Sequence, residues 1–139
     1  MDVATGQFQN SFHPVFASPH KYYDCIEACF ECANSSWICA DACLHEVDRD
    51  QLHACITLCL SAAEICAATA RAMFSLPDQD RDMTIAQLRN CMEICSSCMI
   101  ECQKHATLHE HCQISTKCCE ECFKICAKYV QMFEDRNYA

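Results

Sequence analysis

The chain has 139 residues, a formal charge of −9 and 52% hydrophobic residues, enough for one compact domain that buries a core of its own. Its ten Lys and Arg are scattered and form no basic stripe, which argues against nucleic acid as a partner. Cysteine is the anomaly: 17 residues, about 12% of the chain and above the roughly 8–10% that marks disulfide scaffolds, in a sequence with one glycine and three prolines and long helical patterning.

Residues 1–17, with Gly6, Pro14 and mixed polar and aromatic residues, read as a short N-terminal arm. This segment has no basic region followed by an apolar stretch, so no export signal is expected. No uninterrupted apolar run approaches the ~18 residues of a membrane span. The expectation is a cytoplasmic protein that keeps its thiols free in a reducing compartment. The odd cysteine count agrees, since it disfavours complete internal pairing.

Ser18-Pro19 reads as an N-cap with proline at the first helical position, opening a helix that runs to about Val47. Asp48 to Gln51 reads as a capping box for a second helix ending near Ser75. Leu76-Pro77-Asp78-Gln79-Asp80 is the clearest break in the chain. Thr84 to Gln87 reads as the box of a third helix ending near Ala106, and Thr107 to Glu110 as that of a fourth ending near Glu134. Residues 135–139 are left as a tail. Short connections make the first and second helices, and the third and fourth, antiparallel neighbours. The fold class expected is all-α: an up-down-up-down antiparallel four-helix bundle over residues 18–134.

Sixteen cysteines share one helical stripe, at positions 25, 29, 32, 39 and 43; 55, 59 and 66; 91, 95, 98 and 102; and 112, 119, 122 and 126. Within each set the steps are 3, 4 or 7, or sums of these, which is a heptad register. Only Cys118 is out of step. Cysteines at i and i+4 place their Cβ atoms about 5–6 Å apart on one face, a gap that one metal ion can bridge. Cys25/Cys29, Cys39/Cys43, Cys55/Cys59, Cys91/Cys95, Cys98/Cys102, Cys118/Cys122 and Cys122/Cys126 all have this spacing. A bundle core written in sulfur at those positions is read as a container for soft metal ions.

Charge balance selects the metal. Ligating sulfurs are thiolates, and a dry core of unpaired anions is prohibitively costly. A Zn(II) site with four cysteines carries −2, so a stack of them leaves a large buried charge. Cu(I) is soft and monovalent, and about one ion per sulfur makes the core neutral. The expected capacity is therefore about 15–20 Cu(I) per chain. The metal ligands expected are all 17 cysteines, Cys118 included through its pair with Cys122, together with His105 and His109. The alternatives are an iron–sulfur or thiol/disulfide redox protein and a Zn or Cd thiolate buffer. Cys91, Cys95, Cys98 and Cys102 superficially match a ferredoxin run, but cluster ligands sit on tight loops that wrap the cluster, and nothing breaks this helix.

The predicted topology gathers His45, His53, His105, His109 and His111 at one end. His105 continues the register of Cys102, and His109 continues it again, so these two are expected to serve ion entry and transfer at a histidine-bearing mouth. Asp48 and Asp50, at the same end, are read as caps. Met73, Tyr129 and Phe133 close the opposite end as ordinary core, with Met92 and Met99 as packing residues. Apolar residues off the stripe, among them Ile26, Phe30, Trp37, Leu44, Leu60 and Ile100, exceed what a monomer would leave exposed and point to a homo-oligomer. No activated nucleophile beside an orienting base stands out, so no enzymatic activity is expected.

The repeated C-x₃-C pairs CIEAC (25–29), CADAC (39–43), CITLC (55–59), CMEIC (91–95), CMIEC (98–102) and CCEEC (118–122) resemble those of the bacterial copper storage proteins over about residues 20–134, and the high cysteine count looks like their cytosolic branch. The resemblance implies a Cu(I) store built on a four-helix bundle and assembled as a tetramer. It also implies copper entry at one open end, where His105 and His109 match. Copper ions are then the cargo, with a copper chaperone or a copper-requiring enzyme as exchange partner. The chain departs from a full thiol lining at Ser36, Ala62, Thr69 and Ser115, which stand on the stripe.

Overall fold

The computed structural model describes residues 20–135. The arm expected over 1–17, the Ser18-Pro19 helix start and residues 136–139 lie outside the described residues. Four long helices, Tyr23–Leu44 (α1), His53–Ala72 (α2), Arg81–Gln103 (α4) and Glu110–Asp135 (α5), are joined by a 3₁₀ turn at Arg49–Leu52 and a one-turn helix at Leu76–Gln79 (α3). Each long helix touches two others, in the cyclic order α1, α2, α4, α5. The cross-helix pairs fix the directions: Cys29 lies by Cys126 while Cys39 lies by Cys112, and Cys55 lies by Cys102 while Cys66 lies by Cys95. Neighbours therefore run antiparallel, which is the up-down-up-down bundle the periodicity implies.

The helices form because an apolar-or-sulfur residue recurs every three or four positions with no glycine between 20 and 135. Their ends differ from the sequence reading, each for a local reason. α1 opens at Tyr23 because His20 supplies both acceptors: its carbonyl takes the Tyr23 N–H at 2.9 Å and its Nδ1 takes the Tyr22 N–H at 3.2 Å. Asp48 does not cap the second helix. α4 starts at Arg81 rather than Thr84, because Asp80 reaches the Met83 N–H at 2.9 Å and caps the helix one turn earlier. Thr84 is then buried inside the helix, where its hydroxyl donates to the Asp80 carbonyl at 2.8 Å. Gln87, freed from capping, donates to the Thr69 hydroxyl at 2.9 Å, so both buried threonines are satisfied. Thr107 lies in a turn, and Glu110 is the first residue of α5 instead of the third. That helix includes Asp135, the residue at which the tail was expected to begin.

One end of the bundle is closed by Tyr22, Met73, Leu88, Tyr129 and Phe133, all buried. Tyr22 meets Tyr129 edge-on with ring centres 5.6 Å apart, an arrangement favoured by the ring quadrupoles. The His20 ring reaches the Phe74 carbonyl at 2.9 Å and ties the entry to α1 to the exit of α2. The segment Arg49–Ala72 is long and apolar enough to match a membrane span by length and composition alone. In this fold its Cys55, Cys59, Ala62, Cys66 and Ala70 are spent on the bundle core.

Candidate metal centre

The register that shapes the helices aims their cysteines inward. Sixteen of the seventeen are buried, and all are free thiols. They fall into two packs. Toward the end that carries the histidines, Cys55 lies 3.3 Å and Cys59 3.5 Å from Cys102, sulfur to sulfur, with Cys98 3.6 Å from Cys59. Across the same level, Cys112 sits 3.9 Å from Cys39 and 4.0 Å from Cys43. Cys39, Cys55, Cys59 and Cys102 all lie within 4.8 Å of one another and join the two halves of this mouth pack.

The second pack is deeper. Cys122 is 3.7 Å from Cys29 and 3.8 Å from Cys91, and Cys126 is 3.9 Å from Cys29. Cys66 is 3.6 Å from Cys95 and 3.7 Å from Cys91. Cys32 bridges to Cys95 at 4.0 Å and to Cys119 at 3.7 Å, and Cys25 interacts with Cys126 and Cys29. Two four-sulfur groups stand out, Cys29/Cys91/Cys122/Cys126 and Cys32/Cys66/Cys95/Cys122.

Separations of 3.3–4.0 Å suit S–H···S contacts between neutral thiols, and small adjustments let one soft ion join two sulfurs in place of the protons. Burial raises the cost of any thiolate. Burial is the main reason the Cys43 thiol is pushed up to about 12. Cys112 goes the other way, held down by hydrogen bonds from Cys39 and Cys55, with the His111 ring adding to them. Cys91, Cys95, Cys98 and Cys102 ride on one uninterrupted helix, so no loop wraps them as an iron–sulfur cluster requires.

Cys118 stands apart. It is half-buried on the flank of α5 beside Ser35 and Ile114 of the α1–α5 groove. Burial raises its thiol, and it belongs to none of the four-ligand groups. The structure thus does not bring it to the core with its sequence partner Cys122.

The histidines divide differently from the register. His105 Nε2 faces Glu101 at 3.2 Å. His109 is held between two carboxylates, Nε2 on Asp48 at 3.0 Å and Nδ1 on Glu46 at 3.1 Å. The Asp48 hydrogen bond, with both carboxylates nearby, holds its pKa above the ordinary value despite burial. Carboxylates on both nitrogens favour the imidazolium, which has no lone pair for a metal. Asp48, expected as a cap, is instead the anchor of this ring. The histidine that meets the thiols is His111, whose Nδ1 lies 3.5 Å from Cys39, 3.6 Å from Cys112 and 3.8 Å from Cys43. Its Nε2 sits 2.8 Å from Glu46. The carboxylate accepts the Nε2 proton and leaves the Nδ1 lone pair facing the sulfurs. His111 is one position off the cysteine stripe, so periodicity passed over it. Its adjacency to Cys112 in the first turn of α5 was the available signal.

The family model described as copper storage protein matches residues 18–131. The chain is 38% identical to the cysteine-rich protein YhjQ of Bacillus subtilis over 107 residues, 74% of this chain and 94% of that protein. It is also similar to solved structures of Ccsp, a cytosolic copper storage protein of Streptomyces lividans. The form loaded with 10 copper equivalents is 35% identical with a TM-score of 0.77, over 79% of this chain and 83% of that one. The form with five coppers has the same identity and TM-score over 79% of this chain and 92% of the other. A family match of this extent agrees with an interior whose only abundant chemistry is buried sulfur: the chain belongs to the copper storage protein family.

Proposed function

We propose that this chain is a cytoplasmic Cu(I) store. It takes many ions into thiolate pairs along the bundle axis and exchanges them at the histidine-bearing end. The observation that carries this reading is the sulfur lining itself: sixteen buried thiols packed sulfur against sulfur in two groups have no packing advantage over Leu or Ile, and a soft cargo explains them. The ligands of the store are those sixteen cysteines, with His111 as the imidazole of the mouth; His105 and His109 serve from the rim, and Cys118 is not required. The cytosolic description of the Streptomyces lividans protein supports the location.

The store works without catalysis and as a homo-oligomer. Trp37, Ile38 and Ile114 are each more than half exposed on neighbouring helices α1 and α5, an apolar face that a second copy would cover.

The test is an anaerobic Cu(I) titration of reduced protein against a competing chromogenic chelator. Retention of roughly one ion per core cysteine supports the store. Saturation at a few ions, or a brown protein with visible iron–sulfur absorbance, overturns it. Sedimentation in the same buffer decides the assembly: a monomer at micromolar concentration would remove the oligomer from the reading.

A further inference from the structure

Three of the four non-cysteine residues on the stripe lie near one level of the bundle. Ser36, Ala62 and Ser115 are fully buried and come from three different helices. Ser115 Oγ touches the mouth pack, 3.7 Å from Cys102 and 3.9 Å from Cys59, while Ser36 Oγ touches the deep pack, 4.0 Å from Cys32. Among the described residues, every recorded S–S distance of 4.0 Å or less falls within one pack or the other. A sulfur interaction that crosses this level joins Cys98 to Cys119. Cys98 is anchored in the mouth pack by Cys59 and Cys102, at 3.6 and 3.8 Å. Cys119 is anchored in the deep pack by Cys32 at 3.7 Å.

We propose that the interior holds two separate Cu(I) stores, and that Cys98 and Cys119 are the relay through which ions pass between them. The inference rests on the storage reading and adds an internal route to it. Hydroxyl oxygen and a methyl group are poor ligands for a soft monovalent ion, so three of the four helices offer no stepping stone at this level. The transfer is a thiolate exchange. The ion's bond to Cys59 or Cys102 breaks as a bond to Cys119 forms, with Cys98 retained throughout. The proton leaving the Cys119 thiol goes to the sulfur released. Copper stays Cu(I), and no electron moves. The closed end, sealed by Met73, Leu88 and Phe133, gives the deep store no other exit.

The experiment follows Cu(I) release from fully loaded reduced protein to excess bathocuproine disulfonate under anaerobic stopped flow. The intact chain is expected to release in two phases, with amplitudes near the seven-to-nine division of core thiols between mouth and deep packs. In C98S and in C119S the fast phase persists and the slow phase slows by about tenfold or more, because a hydroxyl replaces the soft relay atom. Adding S36C to C98S places a thiol one helical turn from both Cys32 and Cys39 and restores the slow phase. C118S leaves both phases as they are. Single-phase release of about one ion per thiol from the intact chain would overturn the relay and leave the store standing. So would C98S and C119S with unchanged slow phases, or failure of S36C to rescue. Release of only a few ions in total would instead sink the storage reading itself.

Discussion

Glu46 accepts a hydrogen bond from His111 Nε2 at 2.8 Å, and that bond sets which face of the ring the cysteines see. An ionised carboxylate only accepts, so a proton sits on Nε2, and the neutral ring then turns its Nδ1 lone pair to Cys39, Cys43 and Cys112. H111A is therefore expected to weaken capture of the first ion by about 10- to 100-fold, the usual size of losing an oriented ligand or its support. Total capacity should fall by no more than about one ion. E46Q should give a smaller loss, because an amide can accept from Nε2 but can equally donate to it and free the other tautomer. H105A should change first-ion affinity less than H111A, since His105 pairs with Glu101. Competition titrations at sub-stoichiometric copper read all three. An H105A effect larger than that of H111A would contradict this assignment.

At the opposite end the Tyr129 hydroxyl donates to Asp24, and Lys128 stands 3.4 Å from the same carboxylate. Burial works to raise the Asp24 carboxyl, but these partners and the Cys25 N–H outweigh it and hold the group below its usual value. A carboxyl whose pKa is lowered by folding contributes stability above its unfolded value of about 3.9, and that contribution disappears as pH falls through the folded value. Y129F is expected to lower the stability of the metal-free protein by about 1 kcal/mol at pH 7, with Asp24 half-exposed and its pairing screened. The difference from the parent should shrink below pH 4. Urea unfolding followed by circular dichroism at pH 7 and pH 3 checks it, and an equal loss at both would mean that the hydroxyl contributes independently of the Asp24 charge.

The bundle was legible because its signal is repeated. The heptad stripe recurs in four segments and one proline-containing break, Leu76–Asp80, separates the halves, so helix number, order and inward face follow from spacing alone. Helix starts were less legible because a capping box is a short, degenerate pattern. Thr84 with Gln87 fits it, yet the backbone is capped one turn earlier by Asp80, which forms no box but reaches Met83 N–H with its side chain. The rim could not be read from periodicity at all. His105 and His109 continue the register, yet the turn after α1 brings Glu46 and Asp48 over the mouth and engages His109 from both sides. Nothing in heptad spacing encodes that turn. The serines on the stripe were visible as missing thiols. Their near-common level depends on the axial stagger of antiparallel helices, which only the assembled bundle fixes.

Leu88 is fully buried in the closed end together with Met73 and Phe133. L88A leaves a cavity there and is expected to cost the metal-free protein about 2–5 kcal/mol. Copper binds the folded arrangement of thiols far better than the unfolded chain, so loading stabilises by mass action and ties four helices together. The melting temperature lost in L88A should therefore be largely regained on full loading, with the ion count per chain unchanged. Calorimetry of apo and loaded protein checks this. A loaded variant that still melts early would mean that the closed end, and not the sulfur lining, limits the stability of the filled store.

Each core thiol that takes up copper must lose its proton, and the interior makes that loss uneven. Cys43 is pushed up to about 12 mainly by burial and keeps its proton until an ion arrives. Cys112 is held down by hydrogen bonds from Cys39 and Cys55 and gives up its proton more readily than Cys43. Loading in weak buffer should release close to one proton per copper over the whole titration, because neutrality of the core requires one Cu(I) for one proton. The first ion, captured beside Cys112, should release slightly less than the later ones. Apparent affinity should then fall about tenfold per pH unit on acidification for each proton displaced per ion. An indicator dye measures the protons, and chelator competition at pH 6.5 and 7.5 measures the affinity. Proton release well below one per ion, with affinity flat in pH, would mean that the core already holds thiolates before copper enters.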